Sequence, residues 1–111
     1  MADFDFSQVV ANSMSFAKQE VGKAWSKLKP YAEHEFTQFA ENAVFLAKLK
    51  IAGNIPEDEL KARINIQRIA LNNVLLAIKG IGLVIAQNVV NGVLDIVVKA
   101  IKKTLQVVLP I

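Results

Sequence analysis

Apolar residues recur along this chain at steps of three and four, and the places where that rhythm stops predict its elements. Ser7 can cap a helix start with its hydroxyl, which predicts a first helix running to about Lys29. Val10, Met14, Ala17, Val21, Ala24 and Leu28 form its seam, with Trp25 beside them, as expected of a helix packed against neighbours. Pro30 disfavours helical geometry in Lys29 and predicts an end or a kink there. A second helix follows from Tyr31 to about Ala52, with Ala32, Phe36, Phe39, Ala43, Leu46 and Ala47 on one stripe. Gly53-Asn54-Ile55-Pro56 then predicts a reversal, because glycine suits the left-handed residue past a helix end and proline the first position of the next. Glu57, Asp58 and Glu59 place three negative charges where the dipole of that next helix favours them.

The third segment, from Pro56 to about Lys79, carries little polarity. At about 100° per residue Lys61, Asn65, Arg68, Asn72 and Lys79 fall on one narrow stripe, and most of the remaining circumference is Leu, Ile, Val and Ala. A helix apolar on nearly every side is expected to be buried on nearly every side, so this one is predicted to be central. In the last segment Asn88, Asn91, Asp95, Lys99, Lys102 and Gln106 make a second polar stripe. Continued as one straight helix across Gly80-Ile81-Gly82, the two stripes would lie roughly 160° apart, so the glycines predict a break. Leu71, Leu75, Ile78, Val93, Val97 and Ile101 are the expected core of this half. The alternation at Ile64 to Ile69 and the tail from Leu105 to Ile111 are the weaker places, where strands compete with helix.

The predicted fold is therefore all-α, a four-segment helical bundle in which each segment of 22 to 26 residues is roughly 33 to 39 Å long. If Pro30 and Gly80 are kinks rather than turns, the alternative is two long bent helices that form a hairpin and pair with a second copy. Residues 1–111 make one domain, with 1–6 expected to be flexible. Val9 and Phe16 lie off the seam of the first segment, and Phe45 and Leu49 off that of the second. These four residues either widen the core or form a candidate partner surface.

Composition strengthens the case for a partner. The chain is 53% hydrophobic and 21% charged, which covers the roughly 6,000 Å² surface of a monomer of this mass poorly. A homo-oligomer is the expectation. The net charge of +3 hides an asymmetry: residues 1–59 hold six basic and nine acidic side chains, whereas residues 60–111 hold seven basic ones and only Asp95. All eight aromatic residues lie in the first 45 positions. The run from Lys79 to Lys103 is cationic and amphipathic, and its KGIG start resembles cationic membrane-active peptides. It could lie on an anionic membrane surface with Lys99, Lys102 and Lys103 as the lipid contacts. Its longest uncharged run, Gly80 to Leu94, is short of the ~20 residues that spanning requires. Asp3 and Asp5 stand where a secretory signal would carry positive charge, so a cytoplasmic protein, with membrane association as a secondary expectation, is predicted.

Candidate chemistry changes little. Without cysteine there is no disulfide, thiolate metal site or thiol nucleophile. His34 is the one histidine, flanked by Glu33 and Glu35 in a polar helical turn, and reads as a surface residue. No glutamate has histidine three residues on, as a carboxylate-bridged metal bundle needs. Gly80-Ile81-Gly82 lacks the third glycine and the preceding strand of a phosphate-binding loop. The three C-terminal lysines have no aromatic nearby to support nucleic-acid binding. A non-enzymatic protein without cofactor, metal or small-molecule substrate is the expectation.

Overall fold

The computed structural model describes residues 4–110, and among these the chain is all-α with no strand. Helix α1 spans Phe6–Val21, α2 Trp25–Ile51, α3 Glu57–Leu76 and α4 Leu83–Leu105, with a single 3-10 turn, Gly22–Ala24, between α1 and α2. Asp5 rather than Ser7 caps α1, its Oδ1 accepting the Gln8 N–H at 3.0 Å. Of the stretch expected to be flexible, residues 1–3 lie outside the described residues. In the described part, the Phe4 and Phe6 rings meet edge to face at 4.7 Å, and Asp5 caps the helix.

The first break falls at Gly22, eight residues before the predicted one. Gly22 has φ 57 and ψ −120, a backbone conformation that favours glycine, and its N–H still closes on the Lys18 carbonyl. Pro30 lies inside α2 as its sixth residue. It leaves the Ser26 carbonyl without its helical donor, but Ser26 and Pro30 are both exposed, so water can serve that oxygen. The predicted seam is nonetheless inside: Val10, Ala17, Val21, Ala24 and Leu28 are all buried, because α1 doubles back on α2 at Gly22.

The other two breaks fall where the pattern put them. At the end of α2, Gly53 (φ 72) lets the Asn54 N–H reach the Leu49 carbonyl at 2.9 Å and its own N–H reach Lys50 at 3.1 Å, the paired bonds of a Schellman cap. Three acids then occupy the first turn of α3. Between α3 and α4, Gly80 has φ 99 and Gly82 is extended, so these glycines turn the chain rather than kink a continuous helix. A Cβ on Gly80 would stand 3.5 Å from that of Ala24, which places this turn beside the one between α1 and α2. Ile64–Ile69, the predicted strand competitor, is helical within α3.

Packing places α4 and α2, not α3, at the centre. Helix α4 lies against α1, α2 and α3, and α2 likewise against α1, α3 and α4, whereas α3 packs on two helices, α2 and α4. Accordingly α4 buries Ala86, Val89, Val90, Val93, Leu94, Val97, Val98 and Ile101, and α3 only Leu60, Ile64, Leu71 and Leu75. Five of the six expected core residues of this half are inaccessible, and Ile78 is half-buried in the turn after α3. The scarcity of polar residues in α3 did not report burial, because apolar side chains are common on protein surfaces.

Alanines let the helices approach closely. Ala17, Ala32, Ala40, Ala47 and Ala86 are completely inaccessible. Past Leu105, Gln106 adopts a left-handed conformation (φ 58) and ends α4. The tail then folds inward, burying Val107 and Leu109, while Lys50 Nζ donates to the Val108 carbonyl at 2.7 Å.

Candidate interaction surface

The four residues singled out as a partner surface do not share one. Val9 is 5% exposed and belongs to the core. Phe16 is half-buried with its ring directly over Gly92 of α4, and Leu49 is half-buried against the core. Only Phe45, 61% exposed, stands open. The reason is geometric: α1 packs against both α2 and α4, so it needs two apolar faces, and Val9 and Phe16 supply the second.

An open apolar surface lies on α3. Taking about 100° per residue, the buried Leu60, Ile64, Leu71 and Leu75 lie on one side of the helix. Ala62, Ile66, Ile69, Ala70, Leu76 and Ala77 lie opposite, interrupted by Asn73 and bounded at the helix start by Asp58 and Glu59. Ile66, Ile69 and Leu76 are 60%, 53% and 39% exposed. The flanks between the two faces carry the polar residues and join α3 to its neighbours. On one flank Gln67 Oε1 accepts from Asn42 Nδ2 at 2.9 Å; on the other Arg68 Nη2 donates to Asn91 Oδ1 at 2.9 Å. Phe45 of α2 continues the open face sideways. With Asn42, Leu46, Arg63, Ile66 and Gln67 it lines a shallow groove of about 200 Å³.

The sequence signal for Ile66, Ile69 and Leu76 as a surface is the width of the apolar arc of α3, which exceeds what one buried face uses. Two opposed apolar faces separated by polar flanks is the reading that fits.

A second, polar groove runs between α3 and α4, about 240 Å³, lined by Asn65, Arg68, Asn72, Gln87 and Asn91 over Ile69 and Val90. Its groups are amides and one guanidinium, which donate and accept hydrogen bonds but do not exchange protons near neutral pH. Asn72 Oδ1 is buried there without a protein partner. His34 is exposed, and among the described residues no three His, Cys, Asp or Glu side chains cluster to hold a metal ion.

Lys99, Lys102 and Lys103 are exposed near the end of α4, and Lys99 Nζ is 2.9 Å from Asp95 Oδ2 one turn earlier. By length and composition α4 is apolar enough to cross a membrane, but 44% of its most apolar window is buried within the fold. Val89, Val93, Val97 and Ile101 face the other helices. Its central position accounts for those residues, whereas Leu83 and Val84 at its start are exposed.

Known relatives add nothing to this. Comparison with protein families, with characterised protein sequences and with solved structures finds no match. The surface therefore has to be read on its own chemistry.

Proposed function

We propose that this chain is a non-enzymatic interaction module, a small cytoplasmic helical bundle that works by binding protein surfaces and foremost a second copy of itself. The observation that carries the reading is the open apolar face of α3 with Phe45 beside it, where three large side chains are more than half exposed. Burying each fully would contribute roughly 1.5 to 3 kcal/mol, and such a face on a protein of this size marks an association site. Light scattering after gel filtration tests it. A mass above that of one 12.2 kDa chain is expected, and a clean monomer at tens of micromolar refutes it.

A second reading has one observation in its favour, the length and apolarity of α4. In it the protein binds anionic membranes through α4, with Lys99, Lys102 and Lys103 at the headgroups. This requires α4 to withdraw Val89, Val93, Val97 and Ile101 from the core, which makes it the less economical reading. Flotation with anionic vesicles at low salt decides it, and absence of co-migration removes it.

A further inference from the structure

From the open face of α3 and the charges at its two ends, we infer that α3 pairs antiparallel with α3 of a second copy, about a two-fold axis near Ile69. The inference rests on the self-association proposed above and gives it a surface and a direction.

Charge selects the direction. The first turn of α3 carries Glu57, Asp58 and Glu59, and beyond its last turn stands Lys79, all four exposed. Glu57 lies 3.7 Å from Lys50 Nζ and Glu59 2.9 Å from Arg63 Nη2, so Asp58 is the acid of that turn with no ion pair among the described residues. A parallel pair would set Asp58 against its own copy. An antiparallel pair brings each acidic turn beside the lysine of the other copy, and opposite potentials favour that encounter while suppressing the parallel one.

Shape agrees with it. In a pair balanced about Ile69, that isoleucine meets its own copy at the axis, and residues equally far on either side meet across it. Leu76 then stands level with Ala62 of the other copy, a large side chain over a small one. That alanine lies in a groove of about 420 Å³ that Asp58, Lys61, Asn65 and Pro110 also line. A two-fold axis makes each of these contacts twice, so one protruding leucine and one recess suffice to make the surface self-complementary. An anionic lipid surface suits the face less well, since the acidic turn on the same helix would be repelled by it.

The protein contains no cysteine, so introduced thiols report proximity without background. Three single variants, Ile69→Cys, Ala62→Cys and Leu76→Cys, are oxidised alone and in pairs and resolved on non-reducing gels. Ile69→Glu is compared with the unaltered protein by sedimentation equilibrium, with circular dichroism melting to verify the fold. The expected results are that Ile69→Cys links to itself, that Ala62→Cys links to Leu76→Cys faster than to itself, and that Ile69→Glu weakens dimerisation at least tenfold, about the effect of losing a central interface anchor. If Ile69→Glu fails to fold, the thiol pairs alone decide. Self-linking of Ala62→Cys in preference to the mixed pair overturns the antiparallel arrangement. A dimer unaffected by Ile69→Glu overturns this surface and leaves self-association standing, whereas a monomeric unaltered protein overturns both. A monomer that binds phosphatidylserine–phosphatidylcholine vesicles, and loses that binding with Ile69→Glu, assigns the face to lipid and overturns the pairing.

Discussion

Gly92 lies in the middle of α4, where glycine is ordinarily a defect, and replacing it by alanine is the sharpest test of the packing described above. In an exposed helix interior the change stabilises by about 1 kcal/mol, because glycine loses more backbone entropy on folding. Here the ring of Phe16 lies across the glycine. A Cβ built at position 92 would stand 2.8 Å from Phe16 Cδ2 and nearer still to Cε2 and Cζ, well inside the 3.5 Å or so at which carbon atoms rest. The ring has to swing away from α4, and overpacking of this kind costs about 1 to 3 kcal/mol. The two terms oppose, and the clash is the larger. Gly92→Ala is expected to lower stability by about 1 kcal/mol net, or roughly 4 °C in melting temperature for a domain of this size. Urea unfolding followed by far-ultraviolet circular dichroism and by Trp25, the one tryptophan, measures it. In a Phe16→Ala background the obstacle is gone, and the same substitution should stabilise by about 1 kcal/mol. The sign reversal amounts to a coupling of about 2 kcal/mol between positions 76 residues apart in sequence, within the range for residues in direct contact. If Gly92→Ala stabilises both backgrounds alike, Phe16 does not lie on Gly92 and the α1–α4 packing is wrong.

Other substitutions probe the remaining arguments, each read from chemical denaturation. Leu75→Ala empties a site that is completely inaccessible and should cost about 2 to 5 kcal/mol; a loss under half a kilocalorie or so would place Leu75 on the surface. Pro30→Ala restores the hydrogen bond to the Ser26 carbonyl inside α2 and is expected to stabilise by about 2 to 2.5 kcal/mol, the helix gain of about 3 less the entropy that proline removes from the unfolded chain. A destabilised variant would show that Pro30 holds a bend the fold needs. Gln106→Gly relieves a left-handed residue at the end of α4 and should add up to about 1 kcal/mol, and unchanged or lower stability would contradict that backbone. Asp5→Ala removes the cap on the Gln8 N–H and should cost about 1 kcal/mol; no loss would mean that α1 starts elsewhere.

The helical content and two of the three turns were legible in the sequence because both are local. The spacing of Ala32, Phe36, Phe39, Ala43, Leu46 and Ala47 is helical whatever surrounds it, and all six are buried. Gly53 precedes Pro56 and Gly80 separates two polar stripes that one straight helix cannot align, and both glycines have positive φ. Gly22 also has positive φ, but it sat inside an unbroken seam from Val10 to Leu28. The seam continues across the turn because α1 and α2 face each other with it, so periodicity gave no sign of a break. Pro30 was the stronger local signal and was overridden, since its only lost partner is a carbonyl open to water.

The sequence by itself determined the helical class, the turns at Gly53 and Gly80, the acidic start of α3, the basic end of α4 and the face of each helix that is most apolar. Only the tertiary structure decided which of those faces is covered. Periodicity fixes the direction of a stripe relative to its own helix axis and carries no information about how many neighbours that helix has. With two neighbours α1 buries the off-seam Val9, and with three α4 becomes the core. Helix α3 has neighbours along one side and its flanks, so Ile66, Ile69 and Leu76 remain in water. The same apolar side chains that read as a buried centre along the chain thus become, once the other helices are in place, an open surface.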